Sequence, residues 1–176
     1  SVSLNRLAAE WEPQAFVQFT FPHANSDWSD NLPEVVSCFA DIIQMVSKYV
    51  PVLVVCADRR KVSSYLSDIP ADRLLLHECA SNDTWARDHG GITVETAGGP
   101  LLLDFIFNGW GNKFPAQLDN QITVCLHQAG VFGDTPLQSL PFVLEGGSIE
   151  SDGKGTVLTT SECLLSPERN PHLSKD

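Results

Sequence analysis

The sequence predicts an α/β fold built around a mixed sheet, and three features of the 176-residue chain support this prediction. Strand-like and helix-like segments alternate along most of its length, which is the pattern of α/β proteins. The run Val50–Cys56 is almost wholly apolar, as expected for a strand covered by helices. Two further strand-like runs flank the turn residues 97–100 and predict a hairpin, so part of the sheet should be antiparallel.

The individual elements follow from apolar periodicity and from turn residues. After an irregular entry over residues 1–13, we predict strands over 14–21, 50–56, 73–78, 92–96, 101–107, 140–144 and 156–160, helices over 31–49, 58–69 and 119–130, and a short helical turn over 161–165. The helix over 31–49 has the clearest signal, because its apolar residues recur at a spacing of three and four. Pro33 suits the first turn of that helix, where a missing N–H costs little.

Composition limits the classes of protein to which the chain can belong. Hydrophobic residues make up 43% and charged residues 19%, so a folded single domain with a core is expected over residues 1–176. The net charge of -11 argues against a nucleic-acid partner, because phosphate binding requires clustered Lys and Arg. The same charge is compatible with a cationic ligand.

Cysteine usage and hydropathy indicate a cytoplasmic protein without a metal. The five cysteines are widely spaced and form no CxxC pair, so we predict no zinc site and expect reduced, buried thiols; they are Cys38, Cys56, Cys79, Cys125 and Cys163. No signal peptide, transit peptide or long apolar run is present, which predicts neither secretion nor contact with a membrane.

The stretch 82–91 concentrates polar and aromatic side chains between two predicted strands. A carboxylate beside Trp85 is a plausible receptor for a planar cation, because the acid accepts a forked pair of hydrogen bonds while the indole covers the flat face. A purely structural interpretation is open as well: Asp83 caps a turn, Arg87 pairs with Asp83 or Asp88 at the surface, and Trp85 anchors the core.

Two further segments carry residues that are candidates for a functional site, whereas His23 is expected to have a structural role. Residues 144–153 form a second cluster of carboxylates and glycines. Residues 108–112 form a glycine-rich turn with an exposed indole, Trp110, and their spacing does not match a phosphate-binding loop. His23 follows a strand and is expected to be a loop histidine bonded to backbone.

These motifs in combination resemble the agmatine deiminase and bacterial-type peptidylarginine deiminase family. The matching segments are Asn82–Asp88, Phe107–Lys113, Leu144–Ile149 with Asp152–Gly153, Leu158–Leu165 with Arg169–Pro171, Glu10–Pro13 and Phe21–His23. The likeness extends over essentially the whole chain. It implies a pentein fold, an α/β propeller of repeated modules, of which this chain is the N-terminal half.

The resemblance also implies the chemistry and the residues that perform it. The family hydrolyses a guanidinium to a ureido group and ammonia through a cysteine thiouronium intermediate, without metal or organic cofactor, as a step of putrescine and polyamine metabolism. By this likeness, Asp88 and Asp152 are the carboxylates that hold the guanidinium and take part in catalysis. Trp85, Glu145 and Trp110 complete the expected substrate-binding set.

Two departures from the family pattern affect the expected activity. Glu150 stands where the family has a histidine, which leaves a carboxylate as the candidate catalytic acid–base group. If its side chain shares a small, partly dry cavity with Asp88 and Asp152, at least one pKa in the cluster is raised. The family nucleophile lies near the C-terminus of a chain about twice this length, and Cys163 matches a structural segment, where a buried apolar role is expected.

Three functions therefore stay open at this stage. The first is a guanidine deiminase, with agmatine preferred to peptidyl-arginine. The second is a non-catalytic module that binds a guanidinium or a partner protein, and the third is an amidinotransferase. Half a propeller exposes sheet edges, so the expected partners are a small guanidinium substrate and either the C-terminal half of the same protein or a second copy of the chain.

Overall fold

The computed structural model describes residues 5–176, which divide into two compact units. One unit is Pro13–Ala86, and the other joins the segment that ends at Glu12 to Arg87–Asp176. The expectation of one incomplete domain over residues 1–176 stays a prediction.

The elements alternate along the chain. In order they are β1 (Arg6–Leu7), β2 (Val17–Thr20), α1 (Leu32–Ser47), β3 (Val52–Cys56), α2 (Arg59–Tyr65), β4 (Leu74–Glu78), α3 (Ala86–His89), β5 (Ile92–Thr96), β6 (Gly99–Ile106), the distorted turn α4 (Gly109–Asn112), α5 (Ile122–Gln128), β7 (Leu137–Val143), β8 (Glu150–Ser151), β9 (Val157–Leu158) and α6 (Ser161–Leu165).

The Pro13–Ala86 unit is a three-stranded parallel sheet with the order β2-β3-β4. All five residues of β3 are buried, which confirms the apolar strand predicted from the sequence. The inner face of α1 buries Val36 and Ile43, and the latter joins Phe21 and Val54 in one hydrophobic cluster. The burial of this apolar face explains why the helix predicted over 31–49 forms.

The second unit contains a four-stranded sheet with the order β1-β5-β6-β7. The β5–β6 hairpin is antiparallel, while β6 and β7 run parallel, so the predicted mixed sheet is confirmed. A separate antiparallel pair joins β8 to β9. None of the sheets in residues 5–176 closes on itself, and the propeller arrangement stays a prediction.

Several predicted boundaries were wrong because pairing partners lie far away in the sequence. The entry over residues 1–13 includes β1, where Arg6 lies opposite Glu95 of β5. Strand β7 begins at Leu137 rather than at residue 140, since its first residues pair with β6. The helical segment predicted from residue 119 does begin there, with a 3₁₀ turn, Asp119–Gln121, that leads into α5. In the part of the chain that is described, no helix has the length and hydropathy needed to cross a membrane.

Candidate functional site

The Asp88 carboxylate is the centre of a polar site in the second unit. It projects from the single turn α3 and is half-buried. The backbone N–H of Gly147 donates to its Oδ1 at 3.1 Å, and the indole N–H of Trp110 donates to its Oδ2 at 3.0 Å. Because a carboxylate offers about four lone-pair sites, each oxygen can still accept a further donor. The structure thus brings together two of the predicted site residues, Asp88 and Trp110.

Trp110 reaches Asp88 from a backbone conformation that is rare for a tryptophan. Its φ of 59° and ψ of 49° lie in the left-handed region, which costs about 1–3 kcal/mol and persists only where the surroundings impose it. Asn108 contributes to this by accepting the N–H of Gly111 at 3.0 Å. The rings of Phe107 and Phe114 meet the indole edge-on, with centroid distances of 5.1 and 5.8 Å. The prediction of an exposed indole was wrong, because these contacts leave Trp110 half-buried.

Glycine is required where the second donor approaches Asp88. Gly147 lies in the 3₁₀ turn Gly146–Ser148, and a Cβ atom at this position would collide with Oδ1 of Asp88. A Cβ at Gly146 would collide with the carbonyl oxygen of Arg87. The paired glycines therefore allow this turn to lie directly against α3, which carries Asp88.

Glu145 is bound within the protein by Arg169. Nη2 of the arginine donates to Oε1 at 2.8 Å, and Nε donates to the same oxygen at 3.0 Å. The side chains are only 3% and 12% exposed, and the hydrogen bonds to Glu145 raise the pKa of Arg169. The expectation that Glu145 presents its carboxylate to substrate is corrected, because this forked pair occupies it. Sequence reasoning gave Arg169 no role, and its only signal was its place in a matching motif.

Trp85 lies in the Pro13–Ala86 unit and is 43% exposed, so the interpretation as a core anchor was wrong. Its ring lies 6.0 Å from that of Trp28, whose indole N–H donates to the Thr84 hydroxyl at 2.9 Å. Asp83 accepts the N–H of Thr84 at 2.8 Å, which agrees with its interpretation as a turn cap. The substrate contact expected of Trp85 stays a prediction.

Two other predictions about single residues have clear outcomes. The ring of His23 lies 3.0 Å from both the carbonyl and the hydroxyl oxygen of Ser81, which confirms a loop histidine bonded to backbone. Arg87 forms a surface ion pair as the structural interpretation expected, but its partner is Glu10 at 2.6 Å.

Glu150 and Asp152 are both exposed, so the expected dry cluster of three carboxylates was wrong. Asp152 accepts the backbone N–H groups of Lys154 at 2.7 Å and Thr156 at 3.0 Å, within the turn between β8 and β9. These bonds lower the pKa of Asp152 instead of raising it. The catalytic roles of Glu150 and Asp152 stay predictions.

His89 follows Asp88 in α3 and is 4% exposed. Burial lowers its pKa to about 4, so the imidazole is neutral near pH 7. Its ring lies 6.0 Å from that of Phe107, which also contacts Trp110. His89 is therefore a neutral packing residue beside the site, which the sequence did not indicate.

Three cysteines are free thiols, and they differ in environment. Cys38 is exposed, whereas Cys56 is buried in β3, where burial raises its pKa to about 11. A thiol that stays protonated is a poor nucleophile. Cys163 is only partly buried in α6, which corrects the expectation of a fully buried position.

Comparison with known proteins agrees with the motif analysis. The family described as Porphyromonas-type peptidyl-arginine deiminase matches residues 6–176. An agmatine deiminase from Pseudomonas aeruginosa is 32% identical over 97% of this chain and 47% of its own length. The solved structure of C. jejuni agmatine deiminase with substrate bound has 35% identity and a TM-score of 0.91, over 98% of this chain and 50% of the other. The solved structure of agmatine deiminase of Enterococcus faecalis has 32% identity and a TM-score of 0.83, over 97% of this chain and 47% of the other.

The chain thus spans about half the length of the curated relatives it matches. The matched half contains Asp88, Trp110, Gly147 and the Glu145–Arg169 ion pair.

Proposed function

Because the chain belongs to the Porphyromonas-type peptidyl-arginine deiminase family, we propose that it is the guanidinium-binding half of a guanidine deiminase that acts on agmatine. The curated relatives are agmatine deiminases, which favours agmatine over peptidyl-arginine as the substrate. The activity belongs to the hydrolases that act on the C–N bonds of a guanidinium, and its location in the cytoplasm is part of the proposal.

The observation that carries this proposal is the orientation of the Asp88 carboxylate. Each of its oxygens accepts one N–H group, from Gly147 or from Trp110. The remaining lone pairs are suited to two parallel N–H groups of a guanidinium, an arrangement that is stronger and more specific than a single charge contact. The net charge of -11 attracts a cation toward the protein at low ionic strength.

The proposed reaction divides into two substitutions at the guanidinium carbon. A cysteine thiolate adds to this carbon, one C–N bond breaks as ammonia leaves with an added proton, and a thiouronium adduct remains. Water then adds to the same carbon, two protons are released to the acid–base group and to solvent, the C–S bond breaks, and the thiolate and the ureido product are released. We assign guanidinium binding to Asp88 and Asp152, and proton transfer to Glu150. We assign the thiolate to the part of the relatives' length that this chain does not span.

Calorimetric titration with agmatine tests the binding step. We expect heat of binding with the unmodified chain and a loss of affinity of about tenfold or more in Asp88→Asn, which keeps the shape but removes the charge. Asp41→Asn, an exposed change on α1, serves as the matched control and should bind normally. Putrescine, which lacks the guanidinium, should bind more weakly. Equal affinity of the Asp88→Asn variant for agmatine would overturn the proposal.

A second candidate is a guanidinium-binding module without catalysis. It is favoured by Glu150 in place of the family histidine and by the environment of Cys56, where burial raises the pKa of the thiol to about 11. Ammonia release by the longest natural form of the protein separates the two functions. Agmatine binding without ammonia release identifies the module, and transfer of the amidino group to an added amine identifies an amidinotransferase.

A further inference from the structure

We propose that Glu168, Arg169 and Asn170, named here the clamp, are positioning residues that hold both loops whose N–H groups orient Asp88. This inference rests on the proposed function, because it assigns the clamp to the carboxylate that binds the guanidinium. The clamp acts through the Gly146–Ser148 turn on one side and through the α4 turn on the other.

The first connection runs through the buried ion pair. Arg169 binds Glu145 through three hydrogen bonds of 2.8, 3.0 and 3.2 Å. Glu145 immediately precedes the Gly146–Ser148 turn, and its carbonyl oxygen accepts the backbone N–H of Ser148 at 3.0 Å. Arg169 therefore fixes the start of the turn whose central N–H, from Gly147, donates to Oδ1 of Asp88.

The second connection reaches the turn that carries Trp110. The Glu168 carbonyl oxygen accepts an N–H of the Asn108 side chain at 2.9 Å, and the other end of that amide accepts the N–H of Gly111. The guanidinium of Arg169 lies directly against Gly111, because a Cβ there would lie 3.5 Å from Nη1. The left-handed turn that orients the indole toward Oδ2 of Asp88 is thus held by contacts with Glu168 and Arg169 of the clamp.

The clamp is itself anchored in the core of the unit. Asn170 is 0% exposed. Its amide donates to the carbonyl oxygens of Val143 at 2.8 Å and Leu164 at 2.7 Å, and its oxygen accepts the N–H of Val143 at 2.8 Å. Val143 ends β7, two residues before Glu145, so Asn170 ties the approach to the Gly146–Ser148 turn to α6.

A shared support of this kind keeps the two donors in register. A forked guanidinium bond requires both carboxylate oxygens to lie in one orientation, and a displacement of either loop would rotate the carboxyl group through the N–H bond that it donates. The clamp links the two loops through the guanidinium of Arg169, the backbone carbonyl oxygen of Glu168 and the side-chain amide of Asn170. Loss of the clamp should therefore weaken guanidinium binding while Asp88 itself remains present.

NMR of the 176-residue chain tests the clamp without any ligand. The observed signals are the indole N–H of Trp110, assigned with Trp110→Phe, and the amide N–H of Gly147. Arg169→Lys keeps the charge but removes the fork. Asn108→Asp keeps the acceptor for Gly111 and removes the donor to Glu168. Arg6→Lys makes the same chemical change in another ion pair, Arg6–Glu12, and is the matched control.

We expect Arg169→Lys to shift both signals, to speed their exchange with solvent, and to reduce agmatine affinity about tenfold. Asn108→Asp should shift the Trp110 signal and leave Gly147 close to its original position. Arg6→Lys should leave both unchanged. Signals that stay in place in a folded Arg169→Lys protein would overturn the proposal, and so would equal shifts in the Arg6→Lys control.

Folding and function are separated within the same experiment. If Arg169→Lys does not fold, Asn108→Asp alone decides, because an unmoved Trp110 signal contradicts the second connection. If the variants shift the signals but the unmodified chain does not bind agmatine, the proposed function is contradicted, whereas the positioning role of the clamp is supported. If agmatine binds equally well to the unmodified protein and to the Arg169→Lys variant, the proposed function stands and the clamp fails.

Discussion

The indole N–H of Trp110 donates to Oδ2 of Asp88 at 3.0 Å, and the tryptophan adopts a left-handed backbone conformation at this contact. An unfavourable conformation of this size is retained where neighbouring groups impose it. Here Phe107 and Phe114 pack against the ring, and Asn108 closes the turn beneath it. The indole is therefore oriented before any ligand arrives, so binding does not require it to be ordered.

Replacing Trp110 with Phe should weaken agmatine binding. The change keeps an aromatic ring but removes one of the two N–H donors that orient Asp88. Hydrogen bonds to charged groups contribute about 1.5–3 kcal/mol, so we expect a loss of affinity of about tenfold or more by calorimetry. Trp11→Phe is the matched control, because Trp11 is 78% exposed. Unchanged affinity in Trp110→Phe would show that the contact does not support binding.

The ion pairs in the second unit should differ sharply in their contribution to stability. Glu145→Ala leaves the charge of Arg169 buried without its partner, and breaking such a pair costs about 3–5 kcal/mol. Glu10→Ala removes the partner of Arg87 at a site where both side chains are more than half exposed, at 58% and 55%. There we expect a loss of about 1 kcal/mol or less. Urea unfolding of both variants measures the difference, and similar losses would contradict this ranking.

The buried imidazole of His89 should make the protein less stable in mild acid. Its folded pKa is about 4, below the ordinary value of about 6.5 for an unfolded chain, so the unfolded state binds the proton first as pH falls. Stability is unaffected above about pH 6.5 and decreases between about pH 6.5 and pH 4, by about 3 kcal/mol in all.

Urea unfolding of His89→Asn at several pH values checks this prediction. The variant is expected to be less stable at neutral pH, because it changes the packing beside Phe107. The informative quantity is the slope between pH 6.5 and pH 4, which should be smaller than in the unmodified protein. His172→Asn, at an exposed position, should retain the original slope. An unchanged slope in His89→Asn would show that another group titrates in this range.

Local pattern in the sequence was sufficient for elements that a single segment determines. The apolar stripe of α1 recurs at the period of a helix, and the continuous apolar run of β3 is typical of a strand covered on both faces, so each segment predicts its own burial. Strand β1 has two residues and exists because Arg6 and Leu7 pair with β5, some ninety residues away. Propensity over so short a segment carries no such information.

The site was predictable in its residue types but not in its contacts. Asp88 and Trp110 were both predicted, while their hydrogen bond depends on a left-handed turn that composition indicates only through the glycines beside it. Glu145 was assigned to substrate because the resemblance to the family implies that role for it. Its actual partner, Arg169, lies twenty-four residues further along, and no spacing rule connects the two.

Replacing Glu150 with His should increase deiminase turnover in a longer form of the protein that also carries the thiol nucleophile. The ordinary pKa of a histidine is about 6.5 and that of a glutamate about 4.3, so near neutral pH the imidazole both gives and takes a proton more readily. Glu150 is exposed on β8, so the larger ring can be accommodated without being buried. A positioned acid–base group contributes about 10²–10⁴-fold, and we expect kcat for the ureido product to rise at least about tenfold.

Glu162→His, at an exposed position on α6, should leave kcat unchanged. The turnover of the Glu150→His variant should also follow a titration near the pKa of histidine. A protein that is faster with glutamate than with histidine at this position would show that Glu150 is itself the working acid–base group.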